Sequence, residues 1–195
     1  MVEGKEEPNI HIDVDKEAGT ITIRDNGIGM NQDEVMENIG TIANSGTRKY
    51  LESLDKNQAQ DSNLIGQFGV GFYSSFIVSN TVTLVSRKAG DKKKNGTKWV
   101  SKGKGDYSIE TIEVEECGTS VTLDIKKAEK EFLDDFRIRG IVSKYSDHIT
   151  VPIMMIKSSE DENLIEYETI NKATAFGLKI KKICRKRITT NSTNH

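Results

Sequence analysis

The sequence predicts an α+β fold, in which short strands and a few helices share one hydrophobic core. Two observations carry this prediction. Several short runs alternate apolar with polar residues, as half-buried strands do, and other stretches repeat apolar residues at helical spacing. Hydrophobic residues make up 35% of the 195 residues and charged residues 30%, a balance typical of a soluble globular domain with a highly charged surface.

The first predicted element is a β-hairpin near the N-terminus. Apolar residues alternate with polar ones on both sides of a turn at residues 16–19, and the second strand runs directly into Asp25. The alternating residues are Ile10, Ile12, Val14, Ile21 and Ile23.

A helix is predicted next. Asn31 is a favoured N-cap residue, and Glu34 stands three residues later. The apolar residues of this helix are Val35, Met36 and Ile39, and we expect it to end near Gly40.

Residues 40–71 form an irregular, polar segment rich in Gly, Ser, Thr, Asn and Gln. Such a long segment inside a domain is often a lid or a binding loop. Its candidate hinges are Gly40, Gly46, Gly66 and Gly71. Glycines 66, 69 and 71 lead into an apolar helical run over residues 72–78. A glycine turn that opens a helix directs free N–H groups at one point, which predicts a phosphate site.

Short alternating runs predict four strands after residue 80, followed by a helix and a last strand. The strand runs contain Val82 and Leu84, Trp99 and Val100, Tyr107 and Ile109, and Val121, Leu123 and Ile125. Residues 91–96 are predicted to be a solvated hairpin tip. The helix is opened by acidic residues and has Phe132, Phe136, Ile138, Ile141, Val142 and Tyr145 on its periodic face. The last strand is expected within residues 149–156.

Composition excludes several classes of function. The net charge of −2 gives no global argument for nucleic-acid or membrane binding, and no apolar run is long enough to cross a bilayer. The first residues lack the apolar stretch of a signal peptide. Cys117 and Cys184 are the only cysteines, a usage that fits a reducing compartment and has no metal-ligand spacing. We therefore expect a cytoplasmic protein.

Residues 25–30, Asp-Asn-Gly-Ile-Gly-Met, carry the most suggestive chemistry. The carboxylate of Asp25 can accept a hydrogen bond from the amino group of a base, and the two glycines let a flat ring lie against the backbone. Met30 can pack on such a ring. Taken alone, this motif fits a strand-to-turn transition or a calcium loop better. Combined with the glycine cluster at residues 66–71, it predicts a site that holds a base and phosphates.

Three sequence strings carry the most specific signal: Asp-Asn-Gly-Ile-Gly-Met at 25–30, Gly-Thr-Ile-Ala-Asn-Ser-Gly-Thr at 40–47 and Ile-Gly-Gln-Phe-Gly-Val-Gly-Phe-Tyr-Ser at 65–74. Together they resemble the ninety-kilodalton heat-shock chaperone family, with the closest likeness to its bacterial HtpG branch. The resemblance runs from about residue 3 to residue 175. The second and third strings do not fit the gyrase, mismatch-repair and histidine-kinase relatives, which share only the generic aspartate–glycine pattern.

The resemblance implies a Bergerat-type (GHKL) ATP site on a two-layer α/β sandwich. Asp25 would bind the adenine amino group, Gly29 and Met30 would line the adenine pocket, Asn38 would contact ribose or phosphate, and Thr119 would bond the adenine edge directly or through water. Residues 40–71 would form the ATP lid. The residues wrapping the phosphates or contributing from the lid would be Ser45, Gly46, Thr47, Gly66, Gln67, Phe68, Gly69, Val70, Gly71 and Phe72, with Phe72 also near the base. By residue type alone, a helix-surface position for Asn38, a core position for Phe72 and a strand position for Thr119 would each be favoured over a binding role.

Some family features have no counterpart in this sequence. Asn44 stands where the family usually has Lys or Arg, which should weaken a phosphate contact. No string matches the family's first strand and helix, which carry the general-base glutamate and a magnesium-holding asparagine. We therefore expect no catalytic residue and no magnesium ligand here, negligible ATP hydrolysis, and nucleotide binding that is weak or absent. ATP or ADP with Mg²⁺, client proteins and homodimerisation belong to the intact family member.

Three segments are expected along the chain. Residues 1–157 would be an incomplete N-terminal ATP-binding domain, and residues 158–175 a linker and the start of a middle domain. Residues 176–195 depart from the family and are basic. They can be back-translated so that another reading frame continues the family pattern, which predicts a frameshifted tail, the alternative being a basic nucleic-acid or targeting tail.

Two functional interpretations follow. The first is an ATP-binding domain fragment of a chaperone that assists protein folding through an ATP-driven cycle of lid and dimer closure. The alternative is an inactive truncated or pseudogene product with no nucleotide turnover. A histidine-kinase-like ATPase is disfavoured by the strings at residues 40–47 and 65–74.

Overall fold

A mixed β-sheet forms the frame of the structure. The computed structural model describes residues 7–40, 71–157, 164–173 and 186–187, without the side chains of 164, 165, 186 and 187. The strands are β1 (Ile10–Asp15), β2 (Thr20–Asp25), β3 (Ser79–Arg87), β4 (Gly96–Ser101), β5 (Tyr107–Ile112), β6 (Gly118–Ile125), β7 (Ile153–Ile156), β8 (Leu164–Ile165), β9 (Tyr167–Thr169) and β10 (Lys186–Arg187).

The predicted hairpin is confirmed. β1 and β2 pair antiparallel across the turn, with Ile10 opposite Asp25 and Val14 opposite Ile21. Ile12 and Ile21 are buried on the shared face, as the alternation requires. The register places Asp25 at the last position of β2, where the chain leaves the sheet.

The four strands predicted after residue 80 are also confirmed. Eight strands form one sheet in the order β5-β4-β3-β6-β2-β1-β7-β9. All neighbours from β5 to β1 are antiparallel, and residues 93–95 form a short 3₁₀ turn at the predicted hairpin tip between β3 and β4. Because β6 lies between β2 and β3, the sheet brings Thr119 directly opposite Asp25.

The predicted last strand is confirmed as β7, but its pairing partners and strand β9 were not predicted. β7 pairs parallel with β1, so that Ile10 lies opposite Ile153, and β9 pairs antiparallel with β7. The two-residue strands β8 and β10 pair with each other. The domain boundary at residue 157 and the origin of the tail stay predictions, and most of residues 158–163 and 174–195 lie outside the described part.

Three α-helices and three 3₁₀ segments accompany the strands in the described ranges. The α-helices are α1 (Gln32–Asn38), α2 (Ser75–Val78) and α3 (Asp135–Tyr145), and the 3₁₀ segments are Gly71–Ser74, Lys93–Asn95 and Lys127–Leu133. The apolar run after Gly71 is therefore helical, as predicted, but consists of two four-residue pieces.

The predicted apolar face of the third helix is partly wrong. Ile138 and Val142 are buried, but Phe136 is 84% exposed and Tyr145 is 62% exposed. The α-helix begins only after Asp134, which caps it by accepting from the Phe136 N–H at 3.0 Å. Phe136 therefore lies in the first turn, two residues from Ile138 and on another side of the helix, and Tyr145 is its last residue.

One core joins the helices to the sheet, which confirms the α+β class. Val35 of α1 and Ile138 of α3 belong to the same buried cluster as Leu84 of β3 and Leu123 of β6. This cluster fixes α1 against the sheet, close in sequence to the turn that follows Asp25.

Candidate functional site

Asp25 occupies the point where β2 leaves the sheet. Its Oδ1 accepts a hydrogen bond from the Gly27 N–H at 2.9 Å, so the carboxylate and the turn hold each other in place. Thr119, the second residue of β6, lies opposite Asp25 in the antiparallel pairing. The structure thus brings together two of the residues that the sequence assigned to adenine recognition.

The electrostatic setting of Asp25 has opposing causes. Burial raises the pKa of the Asp25 carboxyl, while backbone hydrogen bonds from Gly27 and Thr119 lower it, and the net shift is upward. Desolvation disfavours the charged form, and N–H donors favour it. A half-buried carboxyl with aligned donors and an upward pKa shift is a frequent property of binding sites.

Gly29 allows the turn to approach the neighbouring strand closely. Its φ is +63°, and a Cβ atom built there would lie 2.0 Å from the Arg87 carbonyl oxygen and 2.9 Å from the Gly118 carbonyl oxygen. Gly118 has the same role on the other side, because its φ is +121° and a Cβ would lie 2.2 Å from the Asp25 carbonyl oxygen. Only glycine fits such contacts at these backbone angles.

Ser86 joins the segments around this site and was not identified from the sequence. Its hydroxyl accepts from the Met30 N–H at 2.8 Å and contacts the Gly118 carbonyl oxygen at 2.9 Å and Thr119 Oγ1 at 3.0 Å. A serine inside an alternating strand gives no sequence signal of such a role. Only the pairing of β3 with β6, together with the position of the Asp25 turn, reveals it.

Helix α1 begins immediately after the turn and carries Asn38. The predicted cap is confirmed as a capping box: Asn31 Oδ1 accepts from the Glu34 N–H at 2.9 Å, and Glu34 Oε2 accepts from the Asn31 N–H at 3.0 Å. Lys88, just beyond β3, forms an ion pair with Glu34. These contacts fix the direction of α1 relative to the end of β3.

Asn38 has an unsatisfied polar atom. Its Oδ1 is buried and has no hydrogen-bond partner within the described part of the chain. Next to it, the Ile39 carbonyl accepts from the Tyr73 hydroxyl at 2.9 Å, which ties the end of α1 to the Gly71–Ser74 segment. A buried acceptor without a partner costs free energy unless a ligand or water supplies a donor.

Phe72 lies in an aromatic cluster. Its ring meets the Trp99 ring edge-on at 5.6 Å between centroids and the Phe76 ring at 6.3 Å, and it packs against the buried core. Gly71 is exposed. The helical pieces after Gly71 are too short for a strong helix dipole, so phosphate binding there would depend on individual N–H groups.

Several predicted site residues lie outside the described part of the chain. They are Ser45, Gly46, Thr47, Gly66, Gln67, Phe68, Gly69 and Val70, together with Asn44 and the rest of the predicted lid. Among the described residues, no three His, Cys, Asp or Glu side chains cluster as a metal site. No helix in the described ranges has the length and apolar character needed to span a bilayer.

A sequence comparison decides the family. Residues 6–131 match the profile of the histidine kinase-, DNA gyrase B-, and HSP90-like ATPases, and this range includes Asp25, Asn38, Phe72 and Thr119. The chain belongs to this ATPase family. The predicted GHKL fold class agrees with that membership and with the mixed sheet and helices described above.

Curated relatives narrow the resemblance to one branch. The chain is 70% identical over 176 residues to the chaperone protein HtpG of Ruthia magnifica subsp. Calyptogena magnifica. It is 56% identical over 181 residues to that of Hydrogenovibrio crunogenus and 51% identical over 178 residues to that of Salmonella paratyphi A. Each match covers 90% of this chain but only 28–29% of the relative.

These matches confirm the likeness to the bacterial branch of the ninety-kilodalton heat-shock chaperones. The chain spans less than a third of the length of these relatives.

Proposed function

We propose that this chain is the nucleotide-binding part of a chaperone of the HtpG type and that it holds the adenine of ATP or ADP at Asp25. The observation that carries the proposal is the half-buried Asp25 carboxyl, held by the Gly27 N–H opposite Thr119 in a chain of this ATPase family. An ionised carboxylate has about four lone-pair sites, so beside the Gly27 and Thr119 N–H groups it can still accept a hydrogen bond from an amino group of the ligand.

The donor and acceptor pattern suits adenine. The ionised Asp25 carboxylate offers only acceptors, and adenine presents one exocyclic amino group as a donor. Gly29 lets the Asp25 turn pack directly on the backbone at Arg87 and Gly118, next to Thr119. Thr119 carries a hydroxyl that can donate or accept beside the same base edge. Met30 is half-buried and supplies a polarisable surface.

The sugar and phosphate end of the ligand would reach Asn38 and residues 66–72. The unsatisfied Asn38 Oδ1 fits a ligand hydroxyl, because a ribose O–H would supply the missing donor. The residues between 66 and 70 are assigned from the family resemblance alone. Mg²⁺ would arrive with ATP, neutralising phosphate charge and taking most of its ligands from phosphate and water.

The wider cycle is also a proposal. In the full-length protein of this type, ATP would close the lid that residues 40–71 form and would bring two N-terminal domains together. These movements would drive the handling of unfolded client proteins. To the described residues we assign binding roles only, and we name no general base among them. A cytoplasmic location remains our expectation.

Calorimetric titration of the full chain with ADP tests the proposal. We expect saturable binding with one site, and we expect D25N to weaken it about 10- to 100-fold, because a hydrogen bond to a charged group is lost. D124N is the matched control: Asp124 lies on β6, bonds to Asn80 and does not face the site. A chain that melts cooperatively but binds no ADP would contradict the proposal and support the inactive alternative.

A further inference from the structure

Ser86 is a polar residue at a position where its strand is otherwise apolar. Val82, Leu84 and Ser86 alternate along the core-facing side of β3, and each is no more than 1% exposed. A hydroxyl in such a place is unfavourable unless it is hydrogen-bonded. The bonds that Ser86 makes therefore account for its presence.

Those bonds connect three separate segments of the chain. Ser86 Oγ lies 2.8 Å from the Met30 nitrogen, 2.9 Å from the Gly118 carbonyl oxygen and 3.0 Å from Thr119 Oγ1. The Met30 segment follows the Asp25 turn, and residues 118–119 open β6. The hydroxyl thus joins the segment that follows the Asp25 turn to the start of β6, where Thr119 lies opposite Asp25.

The hydrogen bond that the Ser86 hydroxyl donates determines where the Thr119 hydroxyl can direct its own proton. Ser86 has one proton, and one of its lone pairs is taken by the Met30 N–H. If that proton goes to the Gly118 carbonyl, the Thr119 hydroxyl must donate back to Ser86 and presents only lone pairs to the pocket. If it goes to Thr119 Oγ1, the Thr119 proton is free to reach a ligand acceptor.

We propose that Ser86 is a positioning residue for base recognition, which holds the Met30 backbone and the Thr119 hydroxyl so that Asp25 and Thr119 read the amino-bearing edge of adenine. The inference rests on the nucleotide-binding function proposed above. Ser86 is buried and acts through Thr119 and Met30. It should therefore change the recognition of the base edge and leave the contacts to the sugar and phosphates unchanged.

The test compares two ligands on the full chain by calorimetry. The probes are ADP and purine riboside 5′-diphosphate, which lacks the 6-amino group and so cannot donate to Asp25. For S86A we expect ADP affinity to fall about 2- to 12-fold, the factor of one neutral hydrogen bond. Affinity for the deamino probe should fall less, because that probe keeps ring acceptors for Thr119 but has no amino group for Asp25. The preference for ADP therefore shrinks.

Three further variants separate positioning from general stability. S86C keeps the volume of the side chain but bonds weakly, and it should reduce the preference as S86A does. S86T keeps the hydroxyl and should restore the preference. S101A is the matched control, because Ser101 is a buried strand serine that bonds to the Asp106 carbonyl and the Gly103 N–H in a different loop.

Each outcome has one meaning. A reduced ADP preference in S86A and S86C, retained in S86T and S101A, supports the proposal. Equal weakening of both ligands, or no change, with wild-type binding intact, shows that Ser86 is merely structural and overturns it. Absence of ADP binding by the wild-type chain overturns the proposed function itself, and this inference with it. If S86A does not fold, the same comparison of ADP with the deamino probe is made on S86C.

Discussion

Burial prepares the Asp25 carboxyl for a ligand, and it also makes the charged form of this residue unfavourable in the folded chain. Burial, the larger cause, raises the pKa of its carboxyl above the ordinary value of 3.8, against the lowering effect of the Gly27 and Thr119 N–H groups. The folded chain therefore binds a proton more tightly than the unfolded chain. The contribution of Asp25 to stability is most favourable below the unfolded pKa and is lost as pH rises through the folded pKa.

D25N should consequently be more stable than the wild type at pH 7, while it binds ADP less well. The difference in the free energy of unfolding should shrink as pH falls through the folded pKa, and it should vanish below the unfolded pKa of about 4, where the wild-type carboxyl is protonated in both states. Urea unfolding of both proteins between pH 3 and pH 7 measures this. A D25N variant that is less stable than the wild type throughout would contradict the assignment of burial as the dominant cause.

Gly29 is expected to be intolerant of any side chain. In G29A, the new methyl group would meet the Arg87 carbonyl oxygen at 2.0 Å, so the backbone must move in addition to the cost of a positive φ. G90A is the matched control, because Gly90 has φ of +90° but nothing within 4 Å of a Cβ. Denaturant unfolding should show a loss of about 1–2 kcal/mol for G90A and clearly more for G29A. Equal losses would show that the turn can shift at no cost.

Sequence reasoning found Asp25 and Gly29 because a charged residue ending a strand and two nearby glycines are local signals. Ser86 was missed, since a strand serine has no distinguishing neighbours in sequence. Its partners Met30 and Gly118 lie 56 and 32 residues away along the chain. A binding wall built from three segments becomes visible only when the strand order is known.

Helix α1 depends on its cap more than on its length. With seven residues it is too short to be stable alone, and Val35 is its only fully buried residue. The reciprocal bonds of Asn31 and Glu34 satisfy two N–H groups at its start. The same cap sets the direction in which Asn38 is presented at the other end.

N31A should lower the free energy of unfolding by about 0.5–2 kcal/mol through loss of this cap. Because α1 carries Asn38, ADP affinity should fall as well. N80A is the control, since Asn80 makes one exposed bond to Asp124 at 3.3 Å and should cost less than about 0.5 kcal/mol. An N31A variant as stable as N80A would mean that packing of Val35 alone holds the helix.

At this scale the sequence predicted strands better than helices. β1, β2, β3 and β6 each alternate cleanly, because one face of the sheet is buried against the helices and a period of two follows. For α3, the periodic pattern extended in both directions past the part of the helix that contacts the core. Phe136 and Tyr145 fit the apolar composition but lie beyond that contact.

At the scale of the whole molecule, residues that follow β7 hold the start of this strand in place. Asn171 is buried, accepts from the Ile153 N–H at 2.9 Å and donates to the Ile149 and Val151 carbonyls at 3.0 and 3.1 Å. Lys172 pairs with Asp147 beside it. These bonds fix the turn that leads into β7, and Asn171 lies in the segment for which a linker and the start of a middle domain were predicted.

N171A should cost about 2–3 kcal/mol of unfolding free energy, because one N–H donor and two carbonyl acceptors lose their partner. K172A is the neighbouring control, since the Lys172 side chain is 76% exposed and its ion pair with Asp147 should contribute less than about 1 kcal/mol. Thermal or urea unfolding of the two variants measures the difference. Equal effects would show that the segment after residue 157 is not part of the cooperative unit.

The sheet order could not be derived from the sequence. Antiparallel neighbours such as β1 and β2 are joined by a short turn and leave a local signature. The parallel pairing of β1 with β7 joins strands that are far apart in sequence, with Ile10 opposite Ile153, and no local pattern records it. The family resemblance supplied the fold class but not this register.

The pairing of Ile10 with Ile153 also sets an order of events on the ribosome. The β1–β2 hairpin can form soon after it emerges, but β7 is made 143 residues after Ile10. At a synthesis rate of about 5–20 residues per second, one backbone edge of β1 stays unpaired for roughly 7–30 s before β7 has been made. An unpaired edge can add another strand, including one from a second nascent chain. When β7 pairs with β1, it therefore also ends the interval in which this edge of the nascent chain can aggregate with another strand.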